Sequence, residues 1–137
     1  MAAEAKQQDG LKELIGEKFL RVKGDAFEVV SYDDCIKDKV DLIGLYFSAH
    51  WCPPCRGFTP ILKKSWDQWK KDGHKIQIIF GSRDQDKKAF ESYFKEHGDY
   101  LAFDYEEKDK RINKLMEKYG VQGIPTLIIL NKNGEVV

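Results

Sequence analysis

The run Val40-Asp41-Leu42-Ile43-Gly44-Leu45-Tyr46-Phe47-Ser48 leads within three residues to Cys52-Pro53-Pro54-Cys55, which opens a stretch of apolar residues at helical spacing. So many branched and aromatic side chains in succession read as a strand buried on both faces, and such a strand needs other elements layered above and below it. The chain supplies them. Residues 19–22 and 27–30 alternate around Lys23-Gly24-Asp25 and predict a hairpin, residues 75–80 predict a second buried strand, and residues 124–130 a third. Between them, Phe58, Ile61, Leu62, Ser65, Trp66 and Trp69 predict a helix ending at Asp72-Gly73 and kinked at Pro60. Phe90, Tyr93, Phe94 and His97 predict another, opened by Asp84 or Asp86, and Ile112, Leu115, Met116 and Tyr119 a third, closed by Gly120. Shorter helices are expected over residues 11–15 and, capped by Ser31 or Asp33, over 31–39. Asn131-Lys132-Asn133-Gly134 reads as a hairpin turn, with residues 135–137 beginning a partner strand. Strands alternating with helices argue an α/β class with a mixed central sheet flanked by helices.

A length of 137 residues with 42% hydrophobic content suits one such domain, expected over 11–137 after a frayed N-terminus at 1–10. Lysine plus arginine number 23 and aspartate plus glutamate 23, so net charge offers no attraction to nucleic acid or to a membrane surface. No apolar run approaches the roughly 20 residues of a spanning helix, and residues 1–10 lack the apolar core of a secretion signal. Three cysteines are too few for a disulfide-stapled secreted scaffold. These features predict a soluble, monomeric protein of a reducing compartment, the cytoplasm and also the nucleus. There a Cys-x-x-Cys pair is catalytic or metal-binding.

Three positions of helix put the sulfurs of Cys52 and Cys55 on one face, close enough to form a small disulfide ring. A thiolate at the helix start is stabilised by the dipole and by free backbone N–H groups, so Cys52 is expected as an exposed nucleophile. Cys55, one turn inside, is expected to be buried and to resolve. Pro53 and Pro54 suit the first helical turn and limit the separation of the sulfurs. Trp51 offers an aromatic surface beside them. Zinc is the competing reading, but it needs four ligands, and Cys35, His50, His74 and His97 are scattered singly. Cys35 reads as a small apolar residue, Trp66 and Trp69 as packing residues, and the lysine pairs as solvated faces. His50 reads equally as a group stabilising the Cys52 thiolate or as a loop residue facing solvent. Ile124-Pro125 opens a core strand, which suggests a tight turn and a cis bond whose flanking backbone groups would pair with an extended substrate.

Trp51 to Pro60 (WCPPCRGFTP), with Tyr119 to Leu127 (YGVQGIPTL) and Leu45-Tyr46-Phe47-Ser48-Ala49, resembles the tryparedoxin and nucleoredoxin branch of the thioredoxin superfamily over roughly residues 11–137. The resemblance implies a thioredoxin fold and a protein-disulfide reductase without a cofactor. Cys52 would attack a protein disulfide, Cys55 would resolve the mixed disulfide, and Pro125 would be the cis-proline beside them. The implied partners are disulfide-containing proteins and an upstream dithiol or flavoprotein reductant. A redox-regulated protein-binding module of nucleoredoxin type is the alternative. Three departures stand out. Tyr46 occupies the place of the buried acid that thioredoxins carry, a Pro-Trp pair near Gly98-Asp99-Tyr100-Leu101 is lacking, and the family's final strand and helix do not follow Val137, so the chain is expected to be a fragment or splice form of a longer protein.

Overall fold

A computed structural model describes residues 10–137; the expected fraying of 1–10 falls almost wholly outside them. Residues 10–15 are helical (α1) and precede the hairpin of β1 (Lys18–Lys23) and β2 (Ala26–Ser31). Lys23 pairs with Ala26, so Gly24-Asp25 is a two-residue turn, with Gly24 at a φ of 61° that glycine adopts without strain. Ser31 caps α2 through a bond from the Asp34 N–H, but α2 covers only Tyr32–Cys35, shorter than the expected 31–39.

The six strands form one sheet in the order β2-β1-β5-β4-β3-β6. β3 (Leu42–Ser48) runs parallel to β4 (Ile76–Ser82) on one side and antiparallel to β6 (Thr126–Asn131) on the other. Paired on both sides, next to the edge strand β6, it lies inside the sheet, as its uninterrupted apolar sequence requires. β5 (Leu101–Ala102) pairs in parallel with β4 and antiparallel with β1, joining the hairpin to the rest. The strand expected from residue 124 starts at Thr126, and the partner expected over 135–137 is reduced to a single bridge between Leu130 and Val136.

Alternate residues of β3 feed two cores. Ile43, Leu45 and Phe47 pack with Leu11, Ile15, Phe19, Ile112 and Leu115 beneath α1, α2 and α5 (Asn113–Lys118). Tyr46 packs with Leu62, Trp66, Phe80, Phe90 and Phe94 beneath α3 (Pro53–Lys71) and α4 (Lys87–Phe94). Gly44 sits on this second face because a Cβ there would stand 2.6 Å from the Ile78 Cδ1. α3 continues through Pro60, whose side chain is exposed, and Ile61 is 60% exposed instead of joining the apolar stripe. α4 is capped by Asp86, which accepts the Ala89 N–H, and ends before His97.

Candidate functional site

The C-terminal end of β3 delivers the chain to a turn, Ala49 to Cys52, and then directly into α3. Cys52 is the N-cap residue, and its sulfur accepts the Cys55 N–H at 3.4 Å. Pro53 and Pro54 follow in the first turn, where a missing N–H leaves no helical bond unmade. Cys52 keeps only 5% of its surface exposed, so the expected open nucleophile is in fact recessed; Cys55 is fully buried. The cover comes from a segment distant in sequence: the Cys52 thiol donates to the Ile124 carbonyl oxygen at 3.8 Å, across 72 positions of chain. The Ile124-Pro125 peptide bond is cis.

The end of β4 fixes the turn that carries the pair. The Ser48 carbonyl accepts the Arg83 N–H at 2.8 Å. Asp84, nearly fully buried, accepts the His50 backbone N–H at 2.8 Å and the Ser82 hydroxyl at 2.5 Å. Asp84 is therefore a latch on the active turn and not the opening cap of α4. Trp51 stands over this region with half its surface in solvent, its indole N–H donating to the Arg83 carbonyl at 2.9 Å.

Below Cys55 lies a buried cluster of hydroxyls that composition and spacing did not reveal. The Ser48 hydroxyl lies 2.7 Å from the Tyr93 hydroxyl. The Tyr93 oxygen is 2.6 Å from Thr59 Oγ1, which is in turn 2.7 Å from the Tyr46 hydroxyl. Thr59 also donates to the Cys55 carbonyl at 3.0 Å. β3 supplies Tyr46 and Ser48 two positions apart on one face, α3 supplies Thr59 one turn beyond Cys55, and α4 supplies Tyr93. The first two spacings are visible in the sequence once the elements are assigned; the arrival of Tyr93 is not.

Burial pushes the Cys55 thiol above its ordinary value, and the neighbouring Cys52 sulfur adds to that, while the Ser48 hydroxyl and the Ala49 backbone oppose it. Burial likewise raises Tyr93 and Tyr46. A cysteine that holds its proton until it is needed suits a resolving role better than an attacking one. His97 packs its ring 4.3 Å from both Phe80 and Tyr93, bonds Tyr100 through Nδ1 at 2.6 Å, and leaves Nε2 buried without a partner. Cys35 is half-buried against the opposite core, and burial raises its thiol. Trp66 is a packing residue, anchored by its indole N–H to Asp99 at 2.7 Å, and Trp69 packs at the border of the same core. Among the described residues no three His, Cys, Asp or Glu side chains gather as a metal-ligand set, and no helix is long and apolar enough to cross a membrane.

Known proteins share this architecture. The thioredoxin-like family model matches residues 39–136. Nucleoredoxin from Bos taurus is 41% identical over 126 residues, covering 92% of this chain and 27% of that protein, and nucleoredoxin from Homo sapiens is 40% identical with the same coverage. Native tryparedoxin I from Crithidia fasciculata superposes with a TM-score of 0.79 at 32% identity, over 93% of this chain and 84% of the other. Thioredoxin from Wuchereria bancrofti superposes with a TM-score of 0.77 at 36% identity, over 90% and 81%. The chain spans about a quarter of the length of the nucleoredoxins it matches.

Proposed function

The chain belongs to the thioredoxin-like family, in its tryparedoxin and nucleoredoxin branch, and from that membership we propose that it is a thiol–disulfide oxidoreductase that reduces disulfides in proteins. The observation that carries this reading is the placement of the two sulfurs: Cys52 at the helix N-cap, facing the Ile124 carbonyl, with Cys55 buried one turn behind it. Cys52 attacks the substrate disulfide as a thiolate; one substrate sulfur leaves and the other is held in a mixed disulfide. Cys55 then attacks the Cys52 sulfur, the second substrate thiol leaves, and the Cys52–Cys55 disulfide remains. Helix N–H groups stabilise the first thiolate. Ile124 and Pro125 present backbone to an extended substrate segment, and Trp51 and Pro53 supply the exposed apolar rim around the sulfurs.

An upstream dithiol or flavoprotein regenerates the pair. Among relatives, tryparedoxin II has a structure in complex with glutathionylspermidine, so low-molecular-weight thiols of that class are the first donors to try. The reading places a monomer in a reducing compartment, the cytoplasm and the nucleus included.

Insulin reduction driven by a small dithiol tests the reading. Turnover by the wild type that disappears in Cys52→Ser is expected. No turnover, together with capture of a partner protein that depends on the oxidation state of the pair, would replace the reductase with a redox-regulated binding module.

A further inference from the structure

Arg83 leaves the sheet at the same end as the two sulfurs. Ser82, the last residue of β4, pairs in register with Ser48, the last of β3, and Thr126, which follows Pro125, pairs with Phe47. Residues 49–52, Arg83 and the Ile124-Pro125 bond therefore emerge side by side from neighbouring strands. Two bonds tie Arg83 to the reacting turn. Its N–H donates to the Ser48 carbonyl at 2.8 Å, and its own carbonyl accepts the Trp51 indole N–H at 2.9 Å.

The half-buried side chain of Arg83 crosses to the start of α5 and donates through Nη1 to the Asn113 side-chain oxygen. That partner is a neutral amide. It orients the guanidinium without cancelling its charge, and a guanidinium has five N–H donors, so others are left for a ligand. Among the described residues no carboxylate pairs with Arg83, nor with the exposed Arg56, four positions beyond Cys52. The carboxylate nearest in sequence, Asp84, is buried and spent on the His50 N–H and the Ser82 hydroxyl. Asp86 caps α4 through the Ala89 N–H. A chain with 23 basic and 23 acidic residues thus places an uncompensated cation beside its reactive pair.

We propose that Arg83 is a specificity-determining residue that selects protein disulfides flanked by Asp or Glu. The proposal deepens the reductase reading and rests on it. A substrate strand laid against Ile124 and Pro125 presents its disulfide to Cys52, and a neighbouring carboxylate meets the Arg83 guanidinium, whose planar fork matches it. The chemistry itself is unchanged. Cys52 and Cys55 give up two electrons and become a disulfide, the substrate becomes two thiols, and the two protons pass through solvent to the departing thiolates. Arg83 exchanges neither proton nor electron.

The test uses disulfide-linked dimers of three short peptides that place Glu, Gln or Lys on both sides of a single cysteine. Each is mixed in excess with the reduced protein on a Cys35→Ser background, and oxidation of the pair is followed by acid quenching and alkylation of the remaining thiols. Intrinsic differences between the peptides cancel when each variant is compared with wild type. Arg83→Gln is expected to lower the rate with the Glu peptide about fivefold at low salt, to leave the Gln peptide unchanged and to raise the rate with the Lys peptide. At about 1 M salt the Debye length is about 3 Å, and the difference between wild type and variant disappears. Arg83→Lys keeps the charge and most of the preference. A ratio of Glu to Lys rates that is the same in wild type and Arg83→Gln overturns the proposal, including the case where all three rates fall by one factor because the turn has shifted. A ratio lost in Arg56→Gln and kept in Arg83→Gln also overturns it. The Gln peptide tests the underlying reading separately: its reaction ends in Cys52→Ser, and a rate that persists there refutes the assignment of the thiols whatever the charge preference.

Discussion

His97 sets how this fold responds to mild acid. It is fully buried, its Nδ1 is occupied by Tyr100, its Nε2 has no partner, and burial pushes its pKa down from 6.5 to about 3. Above pH 6.5 the imidazole is neutral in folded and unfolded chains alike and contributes no pH dependence. Below pH 6.5 the unfolded chain binds a proton that the folded one refuses, so stability falls as the pH drops from 6.5 toward 3. Each pH unit in that window costs about 1.4 kcal/mol, so the loss between pH 7 and pH 5 is about 2 kcal/mol. Two carboxylates are held below their ordinary range, Glu28 by its bond from Arg21 and Asp99, against burial, by bonds from Lys70 and Trp66; both are common to wild type and variant and cancel in the comparison. Urea denaturation of wild type and His97→Phe across pH 5–7 measures the effect. The substitution keeps the aromatic packing but strands the Tyr100 hydroxyl, which lowers stability by a similar amount at all pH values. The expected result is therefore a flatter curve, by about 2 kcal/mol over the window, irrespective of its height. His97→Gln provides the same comparison should the phenylalanine variant fold poorly. Parallel curves for wild type and both variants would refute the reasoning.

Cys55→Ser is expected to accumulate mixed disulfides on Cys52, read by non-reducing electrophoresis and peptide mass mapping; adducts found on Cys35 instead would contradict the roles given to the thiols. Gly44→Val drives a side chain into Ile78, whose Cδ1 already stands 2.6 Å from an ideal Cβ, and a loss of about 1–3 kcal/mol in chemical denaturation is expected. Trp51→Ala removes a half-exposed ring with one hydrogen bond, so stability changes by about 1 kcal/mol or less while turnover on protein disulfides drops more than turnover on a small disulfide.

The sequence by itself determined the local structure and the spacing of Cys52 and Cys55. Asp86 before α4, Gly24 between β1 and β2, and Gly134 closing the last turn each act through bonds or backbone angles within a few residues, so their effects are readable from neighbours alone. The same holds for Cys52 and Cys55, whose spacing on a helix start is already chemistry. Tertiary structure decided what surrounds them. β5 is two residues long, too short for any periodic signal, yet it joins the hairpin to the parallel strands. Asp84 and Asp86 looked interchangeable as helix caps, and only the approach of the Ala49–Cys52 turn to the end of β4 made one of them a latch. Ile124 closes over Cys52 from 72 positions away, and Tyr93 meets Ser48 from 45. Such pairings depend on how sheet and helices stack, a property of the whole chain that no local pattern encodes. The spacing of the two cysteines is local; the gathering of hydroxyls from three separate elements beneath Cys55 belongs to the tertiary structure.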